Sequence, residues 1–253
     1  MNYTIVNETN IDQEHICCAI SDKKGENCVG SKKAWLTQRF NEGLVFLKAD
    51  VRGKAFIEYI PAEYAWCPID APGYMLINCL WVSGQLKGQG LSNELMARAI
   101  EDAKAKGKLG LCALTSAKKK MPFLSDPKYL AHKGFIKADE AAPFYELVYL
   151  PFGSGAPVPR FKPSVKQPAI EEKGMVLYYT NQCPFTDKYA PLLDEVAQKR
   201  GQRVKLIKLE SAQEAQNAPA PFTTYSFFYG GAFVTNEILS APKFVAFMDE
   251  HGL

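Results

Sequence analysis

A short apolar strand, a glycine-rich turn and an amphipathic helix follow one another without a break over residues 78–107. Residues 78–82 contain an aromatic and a β-branched side chain and are followed by a serine-glycine pair, which favours a buried strand. The helix from Leu91 repeats apolar residues at i, i+4 spacing, and Gly107 is placed to end it. Because a helix N-terminus leaves backbone N–H groups unpaired, the turn between these elements predicts a site for a phosphate or pyrophosphate.

The turn itself has the pattern Q-x-x-G-x-G over residues 85–90. Its glycine spacing differs from both the dinucleotide-binding fingerprint and the P-loop. A tight strand-to-helix connection that binds no ligand is the alternative interpretation. After an apolar strand, this pattern resembles the acyl-CoA pyrophosphate loop of the GNAT superfamily of N-acyltransferases.

Composition excludes several other classes of protein. The chain has 253 residues, of which 47% are hydrophobic and 23% are charged, values typical of one or two globular domains. No stretch approaches the ~18 apolar residues of a membrane span, and the first residues lack the pattern of a signal peptide, so we expect a cytoplasmic protein without membrane contact. A net charge of +3 and short basic runs such as residues 118–120 give no support for nucleic-acid binding.

The seven cysteines include no C-x-x-C pair, which indicates reduced thiols rather than a disulfide framework. The three histidines are scattered, so we expect no metal site. Cys79 and Cys112 lie inside apolar runs and are predicted to be core residues.

The first 150 residues are predicted to have the order β-α-α-β-β-β-α-β-α-β-β. Ser31 is predicted to cap the second helix, and prolines are expected to prevent a regular element in residues 62–73. The predicted elements are a strand at 3–6, helices at 12–20 and 32–41, a hairpin of 44–48 and 54–60, strands at 74–82 and 109–115, a helix at 127–133, and strands at 135–137 and 144–150. This order is similar to that of the GNAT fold, a mixed sheet that is splayed where acyl-CoA enters.

Composition changes at residues 151–173, where five prolines and two glycines indicate a semi-extended linker. A second domain is predicted over residues 174–253. Its predicted elements are strands at 175–180, 204–209, 222–229 and 232–235, with helices at about 181–199 and 241–250. The order β-α-β-(short α)-β-β-α resembles the thioredoxin or glutaredoxin fold, in which Pro221 would stand at the cis-proline position facing the thiol.

The GNAT resemblance implies that acetyl-CoA is the cosubstrate and that backbone groups bind it. The residues implied for the phosphates are Gln85, Leu86, Lys87, Gly88, Gln89, Gly90 and Leu91. The residues implied for the pantetheine and the thioester oxygen are Leu80, Trp81 and Val82.

Acetyl transfer to an amine also needs a general base and a general acid. By family analogy the base is Glu58, with Glu63 and Asp70 as alternatives. The family places the tyrosine that acts as general acid four residues before a Gly-Phe pair, but here Leu130 occupies that position and Tyr129 precedes it. Tyr129 is therefore the candidate acid, and water or Ser116 is the alternative.

Cys183 is a third candidate catalytic residue. It precedes a predicted helix, whose dipole would favour the thiolate, and C-P-F-T resembles the C-P-Y-C of glutaredoxins with Thr186 in place of the second cysteine. A single cysteine could form a mixed disulfide with a small thiol, or the second domain could only bind or position substrate.

Three strings carry a resemblance to the bacterial YoaP-type GNAT acetyltransferases: AFIEYIPAEYAWCPIDAPGYMLINCLWVSGQLKGQG, KKKMPFLSDPKYLAHKGF and YYTNQCPFT. The resemblance implies acetylation of an amine of a small molecule or peptide. The alternatives are a thiol-dependent oxidoreductase or thiol-binding protein centred on Cys183, and a non-catalytic acyl-CoA sensor. A homodimer is left open, and Tyr64, Trp66 and Tyr74 are expected either to line the acceptor site or to pack in the core.

Overall fold

A computed structural model of the protein describes residues 1–117 and 119–253; Lys118, from the predicted basic run, lies outside the described residues. The strands are β1 (Tyr3–Val6), β2 (Val45–Ala49), β3 (Ala55–Pro61), β4 (Ile69–Asp70), β5 (Tyr74–Val82), β6 (Gly110–Ser116), β7 (Ile136–Ala141), β8 (Tyr145–Pro151), β9 (Arg160–Phe161), β10 (Met175–Tyr179), β11 (Val204–Lys208), β12 (Tyr225–Tyr229) and β13 (Ala232–Thr235). The α-helices are α1 (Cys28–Phe40), α2 (Leu91–Ala105), α3 (Pro127–His132), α4 (Pro184–Gln198), α5 (Ala212–Gln216) and α6 (Ala241–Glu250). Short 3-10 helices occupy Ala62–Tyr64, Gly84–Leu86 and Pro163–Val165.

Seven strands form the larger sheet, in the order β1-β2-β3-β5-β6-β8-β7. Neighbouring strands are antiparallel except for β5 and β6, which are parallel. The predicted mixed α/β sheet is therefore confirmed. A second sheet of four strands has the order β11-β10-β12-β13, with β10 and β11 parallel.

The parallel pair at the centre of the larger sheet opens along its length. Residues 75–77 of β5 pair with β3 on one side and with β6 on the other, whereas residues 79–82 of β5 pair with β3 alone. The separation begins at Asn78, an extra residue of β5 that shifts the register against β3. A bulge of this kind bends a strand and increases its twist, which explains why β5 leaves β6 at this point.

Two hydrophobic clusters cover the two faces of the larger sheet. On one face α2 buries Leu95, Met96 and Ala99 against the strands, as the i, i+4 pattern predicted. On the other face α1 and the C-terminal part of the chain pack together. That cluster contains Trp35, Leu36, Phe46, Phe56, Tyr74, Leu209, Ala215 and Phe222.

Two predicted features near the N-terminus are wrong. Residues 12–20 form turns with a bridge between Ile16 and Ala19 instead of a helix, and their buried side chains join the core from this irregular backbone. Ser31 does not cap α1, which begins at Cys28 with Asn27 at its N-cap position. The Asp22 carboxylate accepts the Val29 N–H at 3.0 Å, so capping comes from outside the helix.

The proline-rich segments also contain regular structure that the sequence did not predict. Within residues 62–73, β4 pairs antiparallel with β9 of the predicted linker. Phe161 and Val165 are 2% and 0% exposed, so the linker is packed against the body of the protein. Edge pairing tolerates proline beside short strands, which explains the difference. The division into domains at 151–173 stays a prediction.

Pro221 does not have the predicted cis peptide bond. In the part of the chain that the structure describes, the cis bond is Ala142–Pro143. Bends occupy residues 218–221, and β12 begins at Tyr225 rather than at residue 222. The Thr224 carbonyl accepts the Thr180 N–H at 3.2 Å, which fixes this backbone without a cis bond.

Hydrogen bonds from the C-terminal part of the chain reach carbonyl groups near the larger sheet. Thr223 donates through Oγ1 to the buried carbonyl of Trp66, and Asn236 donates through Nδ2 to the Pro122 carbonyl at 2.8 Å. Together with the shared cluster, these bonds join the two sheets into one packed unit. No helix among the described residues has the length and apolar character needed to cross a bilayer.

Because the sheets share a core, we expect a single unfolding transition in urea. Tryptophan fluorescence reports on Trp35, Trp66 and Trp81, which all precede the second sheet, and far-UV circular dichroism reports on both sheets. The two probes should give coincident curves. Thr223→Val leaves the Trp66 carbonyl buried without its donor and should lower the free energy of unfolding by about 1–3 kcal/mol.

The control is Thr37→Val, because Thr37 is exposed on α1. This change should alter the free energy of unfolding by less than about 0.5 kcal/mol. Two separated transitions in the unmodified chain would contradict the shared core.

Candidate active site

The turn between β5 and α2 adopts a conformation that depends on its glycines. Gly88 and Gly90 have φ angles of +78° and +80°, and a Cβ atom at either position would meet nothing within 4 Å. Glycine is therefore required by the backbone conformation and not by crowding. Gln89 donates through Nε2 to the Gln85 carbonyl at 2.7 Å, which closes the turn.

A cleft of about 550 Å³ lies between this turn, the open end of β5 and α3. We call it the glycine-loop cleft. Its lining includes seven of the residues predicted for cosubstrate binding, Leu80, Val82, Leu86, Lys87, Gly88, Gly90 and Leu91. The N-terminal N–H groups of α2 and the φ > 0 glycines suit this end of the cleft to an anion. Gln85 and Gln89 shape the turn through their mutual bond and are not part of the lining.

A second cavity, of about 260 Å³, lies between the larger sheet and the C-terminal part of the chain. We call it the intersheet chamber. Leu80, Leu124 and Ser125 line both the chamber and the glycine-loop cleft. The two cavities therefore meet where β5 separates from β6. Trp81, predicted beside Leu80 and Val82, lines the chamber instead of the cleft.

Glu58 lies in the wall of the chamber as a buried ion pair. Its carboxylate is 1% exposed, and Oε2 lies 2.6 Å from the Nζ of the equally buried Lys32. Asn78, the bulged residue of β5, donates through Nδ2 to the other oxygen at 3.0 Å. The carboxylate is thus held by two donors from two different elements.

Lys32 connects this carboxylate to the C-terminal part of the chain. Its Nζ donates to the Gln182 carbonyl at 2.6 Å and lies 4.2 Å from the centroid of the Trp35 ring. Burying an ammonium is costly unless its protons have partners, and here a carboxylate, a carbonyl and an aromatic face surround it. Lys32 therefore fixes the position of Glu58 relative to the backbone of Gln182, which lies just before Cys183 and α4.

The two alternative bases lie elsewhere. Glu63 accepts the Gly73 N–H at 2.9 Å and pairs with Lys108 at 3.2 Å, and Asp70 is exposed on β4. Both line an open groove beside β9 instead of the chamber. Among the described residues of the chamber lining, Glu58 supplies the carboxylate.

Tyr129 lines the glycine-loop cleft, and its hydroxyl donates to the Ser92 carbonyl of α2 at 2.7 Å. Burial raises the pKa of Tyr129, so the hydroxyl carries its proton at neutral pH. Leu130, at the family position, is 2% exposed in the core. Ser116 is fully buried in bonds to Lys119 and Met121 and lines neither cavity.

Cys183 lies directly before α4, as predicted, and lines the chamber. Its burial opposes the predicted thiolate. Burial raises the pKa of Cys183 to about 11, and this effect outweighs the hydrogen bond from the Phe185 N–H. Cys18 and Cys79 line the same chamber. Cys79 is therefore a wall residue and not the core residue expected, whereas Cys112 is fully buried, as predicted.

The three aromatic residues for which the sequence left either an acceptor site or core packing do not line the chamber. Trp66 and Tyr74 are buried in the core, and Tyr64 is 49% exposed away from the chamber. The rings that line the chamber come from five separate segments. They are Phe56, Trp81, Phe123, Phe185 and Phe222. Of these rings the sequence analysis named Trp81 alone, as a pantetheine-binding residue. It missed the other four, together with Lys32 and Asn78, because pairing of β3 with β5 and packing against the C-terminal part of the chain bring together positions that are far apart in sequence.

Comparison with known proteins finds relatives of this chain. A curated relative, the uncharacterized N-acetyltransferase YoaP of Bacillus subtilis (strain 168), is 47% identical over 244 residues, which cover 96% of this chain and 97% of the relative. The family model described as YoaP-like matches residues 204–245.

Solved structures of GNAT acetyltransferases are similar at a lower level. The PaiA N-acetyltransferase of Thermoplasma acidophilum, in complex with coenzyme A, has a TM-score of 0.41 and 13% identity, covering 60% of this chain and 100% of its own. The GNAT family N-acetyltransferase YhbS of Escherichia coli, in complex with CoA, has a TM-score of 0.41 and 12% identity, covering 64% and 89%.

Identity at this level over nearly the whole of both chains defines the class of protein: it is an N-acetyltransferase. Within that class, the chain belongs to the YoaP family. The predicted resemblance to the YoaP-type acetyltransferases is thereby confirmed.

The raised pKa of Cys183 predicts slow alkylation. Free cysteine has a pKa near about 8.5, so at pH 8 the thiolate fraction of Cys183 should be on the order of 100-fold smaller. We expect iodoacetamide to modify Cys183 at least about tenfold more slowly than free cysteine at pH 8, with the rate rising steeply up to pH 11. Peptide mass spectrometry of the intact folded protein measures this rate.

The control is the urea-unfolded chain, in which Cys183 should react at the rate of an ordinary thiol. Rapid modification in the folded state with a plateau below pH 8 would indicate a stabilised thiolate instead.

Proposed function

We propose that the enzyme transfers an acetyl group from acetyl-CoA to an amine of a small molecule or peptide. The observation that carries this proposal is the meeting of two cavities at the opening between β5 and β6. One cavity ends at a helix N-terminus suited to phosphate, and the other contains a buried carboxylate suited to deprotonate an amine. A thioester at the opening would lie between them.

Acetyl-CoA would occupy the glycine-loop cleft. Backbone N–H groups of the turn and of Leu91 would bind its phosphates, because they lie at the positive end of α2. Backbone groups of residues 80–82 face the side of β5 that β6 has left, so they are free to bind the pantetheine and to polarise the thioester carbonyl. The pantetheine would then make hydrogen bonds to β5 where β6 no longer does.

Glu58 would act as the general base. An amine must lose a proton when it attacks the thioester carbonyl, and Glu58 lies in the chamber wall close to the opening. Lys32 and Asn78 hold the carboxylate in one orientation, which reduces the cost of aligning it with the amine. The proton could leave the chamber through water at the rim.

Tyr129 would protonate the departing thiolate. Its hydroxyl is protonated and lies on the same cleft as Leu80. To reach the sulfur, the hydroxyl would exchange its bond to the Ser92 carbonyl for one to the leaving group. That exchange keeps the donor satisfied before and after the reaction.

The C-terminal part would be a thioredoxin-like domain that completes the acceptor site. Support for this comes from the strand order β11-β10-β12-β13 and from the position of Cys183 before α4. A redox role finds no support in the thiol, because burial raises its pKa. Cys183 would thus act as a wall residue of the chamber.

The proposed phosphate site is tested by Gly88→Glu. A glutamate at φ +78° strains the turn by about 1–2 kcal/mol and adds negative charge where phosphates would bind. We expect the Kd for acetyl-CoA, measured by isothermal titration calorimetry, to rise at least about tenfold, which corresponds to about 1.4 kcal/mol.

Gly155→Glu is the matched control, because Gly155 has φ +85°, is exposed and also has open space around its Cα. It should cause the same strain without changing the Kd. Equal Kd values for both variants and the unmodified protein would contradict the phosphate site.

The role of Glu58 is tested by Glu58→Gln, which keeps the shape of the side chain and removes its basicity. Loss of a general base should lower kcat by about 10²–10⁴-fold. The Kd for acetyl-CoA should stay within about twofold, because Glu58 is absent from the glycine-loop cleft. Release of CoA in the presence of an amine, followed by chromatography, measures kcat.

Glu63→Gln serves as the control, since Glu63 is the alternative base and lies outside the chamber. A thermal unfolding curve of Glu58→Gln shows whether the variant is still folded, and so whether lost activity reflects the missing base or a disrupted structure around Lys32. Full activity in folded Glu58→Gln, or a larger loss in Glu63→Gln, would assign the base elsewhere.

A further inference from the structure

The walls of the intersheet chamber are mostly apolar. Besides the five aromatic rings, the lining includes the side chains of Leu80 and Leu124 and three thiol groups. Polar groups from Asn78, Gln182 and Thr224 lie beside the ion pair. An acceptor in this chamber would therefore place its amino group at Glu58 and an apolar body against the rings.

Charge limits the number of ammonium groups that the acceptor can carry. Among the described lining residues Glu58 is the carboxylate, and it is already paired with Lys32. The other charged lining residue, Lys120, is a cation at the exposed rim. A second ammonium would meet cations and apolar walls, where an unpaired charge is strongly unfavourable.

The size of the chamber limits the body of the acceptor. About 260 Å³ is available, which is below the range of about 300–1,000 Å³ that holds drug-sized ligands. A single ring with a short amine-bearing chain is the kind of molecule that matches this space. A long or highly hydroxylated amine would leave polar groups against apolar walls.

Three of the rings are placed by contacts with the C-terminal part of the chain. Phe185 and Phe222 belong to that part, and Phe123 stands at the mouth with 45% exposure. Phe123 has φ +63°, an unfavourable conformation for a bulky residue, and such residues cluster at ligand sites. The carbonyl of its neighbour Pro122 is held by Asn236, which is 1% exposed.

We propose that the acceptor is a compact aromatic monoamine, whose ring lies among Phe123, Phe185 and Phe222 while its amino group meets Glu58. This inference rests on the proposed acetyl transfer. It assigns Phe185 and Phe123 as residues that determine acceptor specificity. In the reaction the amine nitrogen forms a bond to the acetyl carbon, the carbon–sulfur bond of acetyl-CoA breaks, and the proton lost by the amine ends on the solvent or on CoA.

The experiment compares four amines with the full-length protein and acetyl-CoA. They are 2-phenylethylamine, its ring-free counterpart butylamine, the polyamine spermidine, and a short lysine-containing peptide. We expect kcat/KM for 2-phenylethylamine to exceed that of each of the other three by at least about tenfold. Burial of its ring in the chamber would stabilise the transition state of this amine relative to those of amines without a ring. Mass spectrometry of the acetylated product measures each rate without interference from protein thiols.

Variants test which walls contact the ring. Phe185→Ala and Phe123→Ala should each raise KM for 2-phenylethylamine about tenfold, with the Kd for acetyl-CoA unchanged. Phe247→Ala is the matched control. Phe247 is half-buried on α6, packs against Phe227 and Tyr229, and is absent from the chamber, so its loss weakens the same part of the protein without touching the acceptor.

Phe123 is exposed, so Phe123→Ala should fold even if Phe185→Ala does not. Preference for spermidine or the peptide would overturn the aromatic acceptor while leaving acetyl transfer intact. Equal effects of Phe185→Ala, Phe123→Ala and Phe247→Ala would also overturn it. Binding of acetyl-CoA with no acetylation of any of the four amines would overturn both this inference and the proposed function.

Discussion

One buried ammonium group holds together the parts of this protein that meet at the proposed site. Lys32 extends from α1 to the carboxylate of Glu58 and to the carbonyl of Gln182, under the face of the Trp35 ring. Removing two charges from water costs several kcal/mol for each ion, so the pair is tolerable only where every proton has a partner. Glu58 belongs to the larger sheet and Gln182 to the loop before α4. The Lys32 ammonium therefore has all its partners only when the sheet and this loop are packed together.

The opening of the sheet is a second constraint, and it acts on the same carboxylate. The bulge at Asn78 turns β5 away from β6 and also brings the Asn78 amide to Glu58. The irregularity that creates space for a thioester thus orients the proposed base as well. A regular strand at this position would close the gap and turn the amide to another face, since successive side chains alternate across a strand.

Sequence patterns predicted the parts of the molecule whose signals are local. The glycine turn, the periodicity of α2 and the hairpin of β2 and β3 lie where expected, because φ > 0 glycines and apolar spacing are properties of a few adjacent residues. The region around Ser31 was mispredicted because Asp22 supplies the cap from outside the helix. No local pattern distinguishes a buried Lys32 from a surface lysine, or a chamber-lining Phe222 from a core residue. For the same reason the helix dipole at Cys183 suggested a thiolate, while the packing of the larger sheet over it raises its pKa.

The bond between Lys32 and position 182 has a consequence for how the family can diverge. Its acceptor is a main-chain carbonyl, so any residue at position 182 can make it, whereas position 32 needs a long cationic side chain because the same group also neutralises Glu58. Position 182 can therefore drift during evolution without a compensating change at position 32. The physical link between the two parts of the protein would leave no trace as a pair of co-varying residues, even while position 32 itself stays fixed.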